Sequence, residues 1–149
     1  MVPRVLQPTV EDLREILATG KTIAVVGLSD NPERPSYGVA RYLQRQGYRI
    51  IPVNPKIPQT LGEKAYPSLR KVPKPIDIVD IFRRPEHVPQ IVEDAIAIGA
   101  KVIWMQLGIV NEDAAARARA AGLKVVMNTC MATTHDALRA RGWLQPRLA

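Results

Sequence analysis

The residues best suited to chemistry follow the first apolar run of the chain. That run, from Lys21 to Leu28, is short and β-branched, and a loop from Gly27 to Gly38 leads from it into a helical pattern. The loop supplies a glycine, two serine hydroxyls and Arg34 just before the helix begins. Backbone amides and the positive end of a helix dipole attract phosphate at such turns. The sequence therefore predicts a phosphate-binding turn, the alternative being a structural turn capped by Ser36.

The loop differs from the glycine-rich fingerprint of dinucleotide-binding proteins. Asp30, Asn31 and Glu33 stand where that fingerprint has glycines or small residues. NAD enzymes also place an acidic residue at the end of the second strand, on the ribose hydroxyls. Here the chain continues from Pro52 into Lys56, neutral and then basic. NAD is disfavoured, whereas a ribose that carries a phosphate suits Lys56, so that NADP stays an alternative.

Apolar runs alternate with helical patterns through most of the chain. Strands are predicted over residues 21–28, 48–53, 76–82, 101–106 and 123–127, with helices over 36–46, 85–98 and 111–121. This alternation predicts an α/β fold of Rossmann-like, doubly wound type, with a five-stranded, mostly parallel sheet and helices on both faces. Ligands bind such sheets beyond the carboxyl ends of the strands. The loops after the strands are therefore the candidate site.

Further segments flank or interrupt this core. An N-terminal helix over residues 9–19, capped by Thr9, is expected at the sheet edge, and a C-terminal helix is expected over 132–141. The proline-rich linker of residues 56–75 is long for a connection, and we expect a small element near 63–66.

The composition limits the classes of function. With 149 residues and 46% hydrophobic content, the chain is predicted to be a single domain spanning 1–149. No membrane-length apolar stretch is present, and the first eight residues lack the apolar run of a signal peptide, so a cytoplasmic protein is expected. The net charge of +7 favours acidic partners, but one short basic stretch and 5% aromatic residues disfavour nucleic acid. A single cysteine and two distant histidines predict no metal site.

Several ordered motifs together resemble a known family. They are Gly27-Leu28-Ser29 with Ser36, Pro52-Val53-Asn54-Pro55-Lys56, the stretch from Asp77 to Pro85, Trp104-Met105-Gln106-Leu107-Gly108-Ile109, and Cys130. In this combination the chain resembles the small CoA-binding-domain family, which is related to the N-terminal domain of the succinyl-CoA ligase alpha subunit. The similarity extends from about Val10 to His135. It departs at Asn128-Thr129, where the family often has an acidic and a basic residue.

The resemblance implies coenzyme A as the cofactor and assigns the strand-end loops to its parts. The first loop would hold the pyrophosphate, the second the adenosine with Lys56 near the 3′-phosphate, the third would line the nucleotide, and the fourth would face the pantetheine arm. The candidate cofactor-binding residues are Gly27, Leu28, Ser29, Arg34, Ser36, Tyr37, Val53, Asn54, Pro55, Lys56, Phe82, Arg83, Pro85, Gln106 and Gly108. From burial preferences alone, Phe82 is equally compatible with the core and Lys56 with solvated surface.

The sequence favours binding over catalysis. Cys130 and His135 follow the fifth strand and could act as nucleophile and base, or form a mixed disulfide with the CoA thiol. A buried cysteine and a capping or surface histidine are the favoured interpretations. The carboxylates Asp77 and Asp80 do not form a persuasive acid–base pair, and the ligase domain with the phosphorylated histidine is missing from the sequence.

We therefore predict a non-catalytic protein that binds CoA or acyl-CoA. The alternatives are an NADP-linked oxidoreductase and an acyl-CoA-dependent enzyme that uses the same nucleotide site. A small-molecule ligand is the expected partner, without a membrane, and a homo-oligomer is compatible with the sequence.

Overall fold

The computed structural model describes residues 8–145, so the signal-peptide prediction for the first residues rests mainly on a segment outside it. The strands are β1 Thr22–Val26, β2 Arg49–Val53, β3 Gln59–Thr60, β4 Glu63–Lys64, β5 Ile78–Ile81, β6 Val102–Met105 and β7 Lys124–Val126. The helices are α1 Val10–Thr19, α2 Pro35–Arg45, α3 Val88–Ala97, α4 Glu112–Ala120 and α5 Met131–Ala140. No helix among these has the length and apolar character needed to cross a bilayer.

The main sheet confirms the predicted fold class. Its five strands lie in the order β2-β1-β5-β6-β7, and every pairing is parallel. The chain leaves β1 in one direction to form β2 and returns to form β5 on the other side of β1. The carboxyl ends of β1 and β5 therefore form the switch point of a doubly wound sheet, which is where such sheets bind ligands.

The helices bury an apolar core on each face of the sheet. On one face, α3 and α4 pack on residues such as Ala24 and Ile103. On the other, α1, α2 and α5 cover residues such as Ile23 and Trp104. Helix α1 leads into the interior strand β1 after two residues and lies on this face of the sheet. It also reaches the sheet edge, as expected, since Glu15 of α1 pairs with Lys124 of the edge strand β7 at 3.4 Å.

The helix starts agree in part with the predicted caps. Thr9 caps α1 in a capping box with Asp12, as the sequence indicates. Ser36 does not cap α2, because that helix begins one residue earlier at Pro35, with Arg34 in the capping position. Proline suits the first helical position, since it lacks the amide hydrogen that would stay unpaired there. The Ser36 hydroxyl is used differently, in the turn after β1.

The long linker contains the small element that its length predicts. Strands β3 and β4 form an antiparallel hairpin, and Tyr66 then pairs in parallel with Val53 at the edge of β2. Two backbone bonds secure this pairing, from the Asn54 amide to the Tyr66 carbonyl at 2.9 Å and from the Tyr66 amide to the Pro52 carbonyl at 3.0 Å. The linker is thereby attached beside the strand ends that carry the candidate site.

Gly27 is the point at which three strand ends meet. Its amide donates to the Val53 carbonyl at 2.8 Å, while the Phe82 amide donates to the Val26 carbonyl at 2.8 Å. Its φ of +90° is in the left-handed region, and a Cβ on it would lie 2.4 Å from the Phe82 carbonyl oxygen. Only glycine fits this position, because any side chain would push the β1 turn away from β5.

Replacing Gly27 with alanine is expected to lower the free energy of unfolding by roughly 2 to 5 kcal/mol, since left-handed strain adds to overlap with backbone. Gly38→Ala is the matched control, because a Cβ there meets nothing within 4 Å and the residue lies within α2. The control should gain about 0.5 to 1 kcal/mol from improved helix propensity. Urea denaturation of both variants measures the difference, and an equal stability for the two would contradict the close approach at Gly27.

Candidate functional site

The turn after β1 holds its shape through its own polar side chains. The Ser29 amide donates to the Ser36 hydroxyl oxygen at 3.1 Å, and the Ser29 hydroxyl oxygen accepts from the Asn31 amide at 3.0 Å. The Thr60 hydroxyl of the hairpin donates to the Ser29 carbonyl at 3.3 Å. Each serine oxygen thus accepts an amide hydrogen and keeps its own hydroxyl proton to donate. The turn is organised as a set of donors facing the start of an eleven-residue helix, α2.

The other candidates in this turn differ in exposure. Leu28 is fully buried and anchors the turn in the core beside α2. Arg34 is exposed at the capping position of α2, and Tyr37 is half-buried. The Arg34 side chain is therefore open to solvent at the start of α2, where it is available to a bound anion.

Asn54 ties the end of β2 to the turn. Its Nδ2 donates to the Leu28 carbonyl at 3.0 Å, and its Oδ1 accepts from the Lys56 amide at 2.9 Å. Both polar atoms of the Asn54 side chain are thereby hydrogen-bonded within the protein. The side chain positions the segment that follows. Pro55 and Lys56 are exposed beyond it, and no acidic residue stands at this strand end.

A cavity of about 580 Å³, the larger mouth cavity, lies beyond the ends of β5 and β6. It brings together the predicted residues Phe82, Arg83, Pro85, Gln106 and Gly108. Cys130, considered above for its thiol, also lines it, and residues that were not among the candidates complete its wall, among them Pro35, Val39 and Ile109. The lining is mainly apolar, and it opens beside Leu107, whose side chain is 71% exposed.

A second cavity of about 200 Å³, the smaller mouth cavity, lies on the other side of the switch point. The predicted residues Val53 and Pro55 line it from the end of β2. The opposite wall comes from the α3 region, including His87 and Gln90, which the sequence analysis did not assign to the site. Arg83 lines both mouth cavities and therefore stands between them, within reach of the Gly27 turn.

Asp80 and Gln106 form a buried polar pair next to the larger mouth cavity. Asp80 is 0% exposed in the centre of the sheet, and Gln106, which lines the cavity, is 3% exposed. Gln106 Nε2 donates to Asp80 Oδ1 at 2.6 Å, whereas Asp80 Oδ2 has no hydrogen-bond partner among residues 8–145. Burial raises the pKa of Asp80 to about 7, although bonds from Gln106 and the Ile81 amide oppose the shift.

The raised pKa of Asp80 predicts a pH-dependent stability. The folded protein holds this proton up to about pH 7, whereas the unfolded chain loses it near pH 3.8. The contribution of the Asp80 proton to the free energy of unfolding is therefore complete below about pH 4 and disappears as pH rises to about 7. At about 1.4 kcal/mol per pH unit, the loss approaches roughly 4 kcal/mol.

Asp80→Asn is expected to remove this component of the pH dependence. Urea denaturation of both proteins between pH 4 and 8 measures it. The free energy of unfolding of the original protein should fall relative to that of the variant as pH rises to 7, and then run parallel to it. Parallel curves over the whole range would show that Asp80 ionises normally.

His135 and Cys130, the two residues considered for catalysis, have different surroundings. His135 is buried, with Nδ1 2.9 Å from the Tyr42 hydroxyl and its ring edge-on to Tyr42 and Tyr48. A surface or capping role for His135 is therefore wrong, since it packs from α5 against Tyr42 of α2. Cys130 precedes α5 without a side-chain capping bond and is half-buried in the wall of the larger mouth cavity, rather than fully buried as expected.

Comparison with known proteins identifies the family. A family model described as a CoA binding domain matches residues 21–136. This chain belongs to that family. The uncharacterized protein YneT of Bacillus subtilis is 45% identical over 128 residues, covering 86% of this chain and 95% of YneT. A solved structure of a hypothetical protein from Pyrococcus horikoshii OT3 has a TM-score of 0.86 and 46% identity, covering 88% of this chain and 92% of that one.

The family membership links the chain to part of a larger enzyme. An acetate–CoA ligase [ADP-forming] II of Archaeoglobus fulgidus is 30% identical over 95 residues, which is 62% of this chain. The matched segment is 14% of the ligase. The similarity therefore concerns one segment of the ligase and not the ligase as a whole.

Proposed function

We propose that this chain binds coenzyme A, or an acyl-CoA, at the switch point of its sheet and that it does so without catalysing a reaction. The observation that carries the proposal is the pair of mouth cavities on either side of the Gly27 turn, with Arg83 between them. CoA has this same order: a nucleotide at one end, a pyrophosphate in the middle and a long arm at the other end. The family and the CoA-binding region of the ligase relatives support the same ligand.

The pyrophosphate would lie on the turn between the cavities. Ser29 and Ser36 keep hydroxyl protons to donate, and the amino end of α2 contributes a partial positive charge. Arg83 supplies a full charge from the adjacent strand end. Charge-assisted bonds of this kind are stronger than bonds between neutral groups, so the turn would contribute much of the affinity.

The nucleotide would occupy the smaller mouth cavity, and the pantetheine arm would occupy the larger one. Val53 and Pro55 offer apolar surface to the adenosine, and Lys56 follows them with a charge suited to the 3′-phosphate. In the larger cavity, Phe82 and Val39 offer apolar contacts, with Gln106 as a polar group. The exposed Leu107 at the opening would be available to an acyl group.

The non-catalytic part of the proposal rests on how the reactive groups are placed. The Tyr42 hydroxyl occupies Nδ1 of His135, and Cys130 lies in the wall of the cavity. Asp80 is buried under the sheet end and bonded to Gln106. Within residues 8–145, no base is hydrogen-bonded to the Cys130 thiol, and the Tyr42–His135 pair lines neither mouth cavity. A single domain in the cytoplasm, as the sequence predicts, would suit a protein that senses or delivers CoA.

Calorimetric titration with CoA and with NADP tests the proposal directly. We expect CoA to bind with a stoichiometry of one, and NADP in excess to leave that binding unchanged. Tight NADP binding without CoA binding would favour the oxidoreductase alternative instead. If the protein binds CoA and also turns over an acyl-CoA thioester, coenzyme A stands as the ligand. The non-catalytic part of the proposal is then contradicted.

The placement of Lys56 gives a sharper prediction. Lys56→Ala should weaken CoA binding by about 1.5 to 3 kcal/mol, the range for a hydrogen bond to a charged group. Dephospho-CoA, which lacks the 3′-phosphate, should bind both proteins equally. Lys21→Ala is the matched control, because Lys21 is also exposed but precedes β1, at the opposite end of the strand from the site. An equal loss for both ligands in Lys56→Ala would put this lysine away from the 3′-phosphate.

A further inference from the structure

The proposed phosphate and adenosine contacts do not involve the buried pair of Asp80 and Gln106, although Gln106 lines the larger mouth cavity. An aspartate in the centre of a sheet is costly to bury, because its charged form loses its hydration. Here the only side chain that hydrogen-bonds to it, among those described, is Gln106, through Nε2 to Oδ1 at 2.6 Å. A buried polar pair with such a cost in free energy suggests a role beyond stability.

The pair determines which end of the Gln106 amide faces the cavity. An amide has a donor end and an acceptor end, and the two are not interchangeable to a ligand. Asp80 accepts a hydrogen bond from the donor end. Gln106 lines the cavity, and within residues 8–145 its Oε1 receives no hydrogen bond. The group that Gln106 offers to an occupant is therefore a carbonyl oxygen, set in a mainly apolar wall.

The geometry points to Asp80 as a positioning residue that orients the Gln106 amide so that Oε1 accepts a hydrogen bond from an N–H group of the ligand arm. This inference rests on the proposed function, since the pantetheine arm of CoA carries two amide N–H groups. It assigns to Asp80 a part in ligand selection without contact between Asp80 and the ligand. A ligand arm without a donor at this depth would leave Oε1 unpaired and bind more weakly.

The sheet explains why these two residues can act together. Asp80 pairs in register with Trp104 on β6, and Gln106 follows Trp104 by two residues, so all three side chains point to the same face. Trp104 is itself fixed, because its indole nitrogen donates to the Thr129 carbonyl at 2.8 Å. The partner of Gln106 therefore lies on β5, the central strand of the sheet.

The test compares CoA with adenosine 3′,5′-bisphosphate, the part of CoA that lacks the arm. Asp80→Leu keeps a side chain of similar size and removes the acceptor. It should weaken CoA binding by about three- to tenfold, the effect of one hydrogen bond, and leave binding of the bisphosphate unchanged. Asp80→Asn should restore most of the CoA affinity, because the asparagine carbonyl can accept the same hydrogen bond from Gln106 Nε2.

A double-mutant cycle separates positioning from structure. Gln106→Leu should cause a loss similar to that of Asp80→Leu, and the double variant should lose no more than either single variant, because both act through one bond. Additive losses would overturn the inference, as would an equal loss of CoA and bisphosphate binding in Asp80→Leu. If Asp80→Leu does not fold, the comparison of Asp80→Asn with Gln106→Leu decides: equal CoA affinities in these two variants would also overturn it.

The outcomes also distinguish this inference from the proposed function. Failure of the original protein to bind either CoA or the bisphosphate would contradict the proposed function itself. Normal CoA binding that is insensitive to both leucine variants would contradict only the role of the pair.

Discussion

The turn after β1 lies so close to the carboxyl end of β5 that a single methyl group at Gly27 would collide with the Phe82 carbonyl. This close approach determines the shape of the whole mouth. It brings the amino end of α2 beside Arg83, and it leaves one cavity on each side of the contact. A turn displaced outward by even a small side chain would merge or close these spaces. The proposed division of a CoA molecule into nucleotide, pyrophosphate and arm depends on this separation.

The remaining parts of the site are built outward from the same contact. Asn54 joins the second strand end to the turn, and Thr60 of the hairpin contacts Ser29 from outside. The long proline-rich linker therefore stabilises the site rather than merely connecting two strands. Under the sheet end, the buried pair of Asp80 and Gln106 adds polarity at one defined place in an apolar wall. The cations Arg34 and Lys56 are exposed at the strand ends, where their charges keep their hydration.

The sequence predicted the features that depend on local pattern. Alternation of apolar runs and helical stretches was sufficient for the fold class, and Thr9 was sufficient for the start of α1, while its capping-box partner Asp12 was not assigned. The strand-end loops were identified because a parallel sheet brings its carboxyl ends together. The family match confirms the resemblance to the CoA-binding-domain family. That resemblance led to coenzyme A as the expected ligand.

Features that depend on contacts between distant segments could not be predicted in this way. His87 and Gln90 join the site only because α3 folds back on the end of β2. His135 is buried by two tyrosines from elsewhere in the chain, which no spacing in its own helix indicates. Asp80 did leave a signal, a carboxylate within an otherwise apolar strand, but its partner Gln106 is one strand away. The start of α2 was misplaced because Pro35 and Ser36 are both plausible at a helix terminus.

A crystal structure of the protein grown with saturating CoA would show where each part of the ligand lies. We expect the pyrophosphate on the turn between Gly27 and Ser36, the adenosine beside Val53 and Pro55, and the arm in the cavity lined by Gln106. CoA bound elsewhere on the surface, or a mouth filled by the protein's own side chains while CoA stays in solution, would contradict this placement.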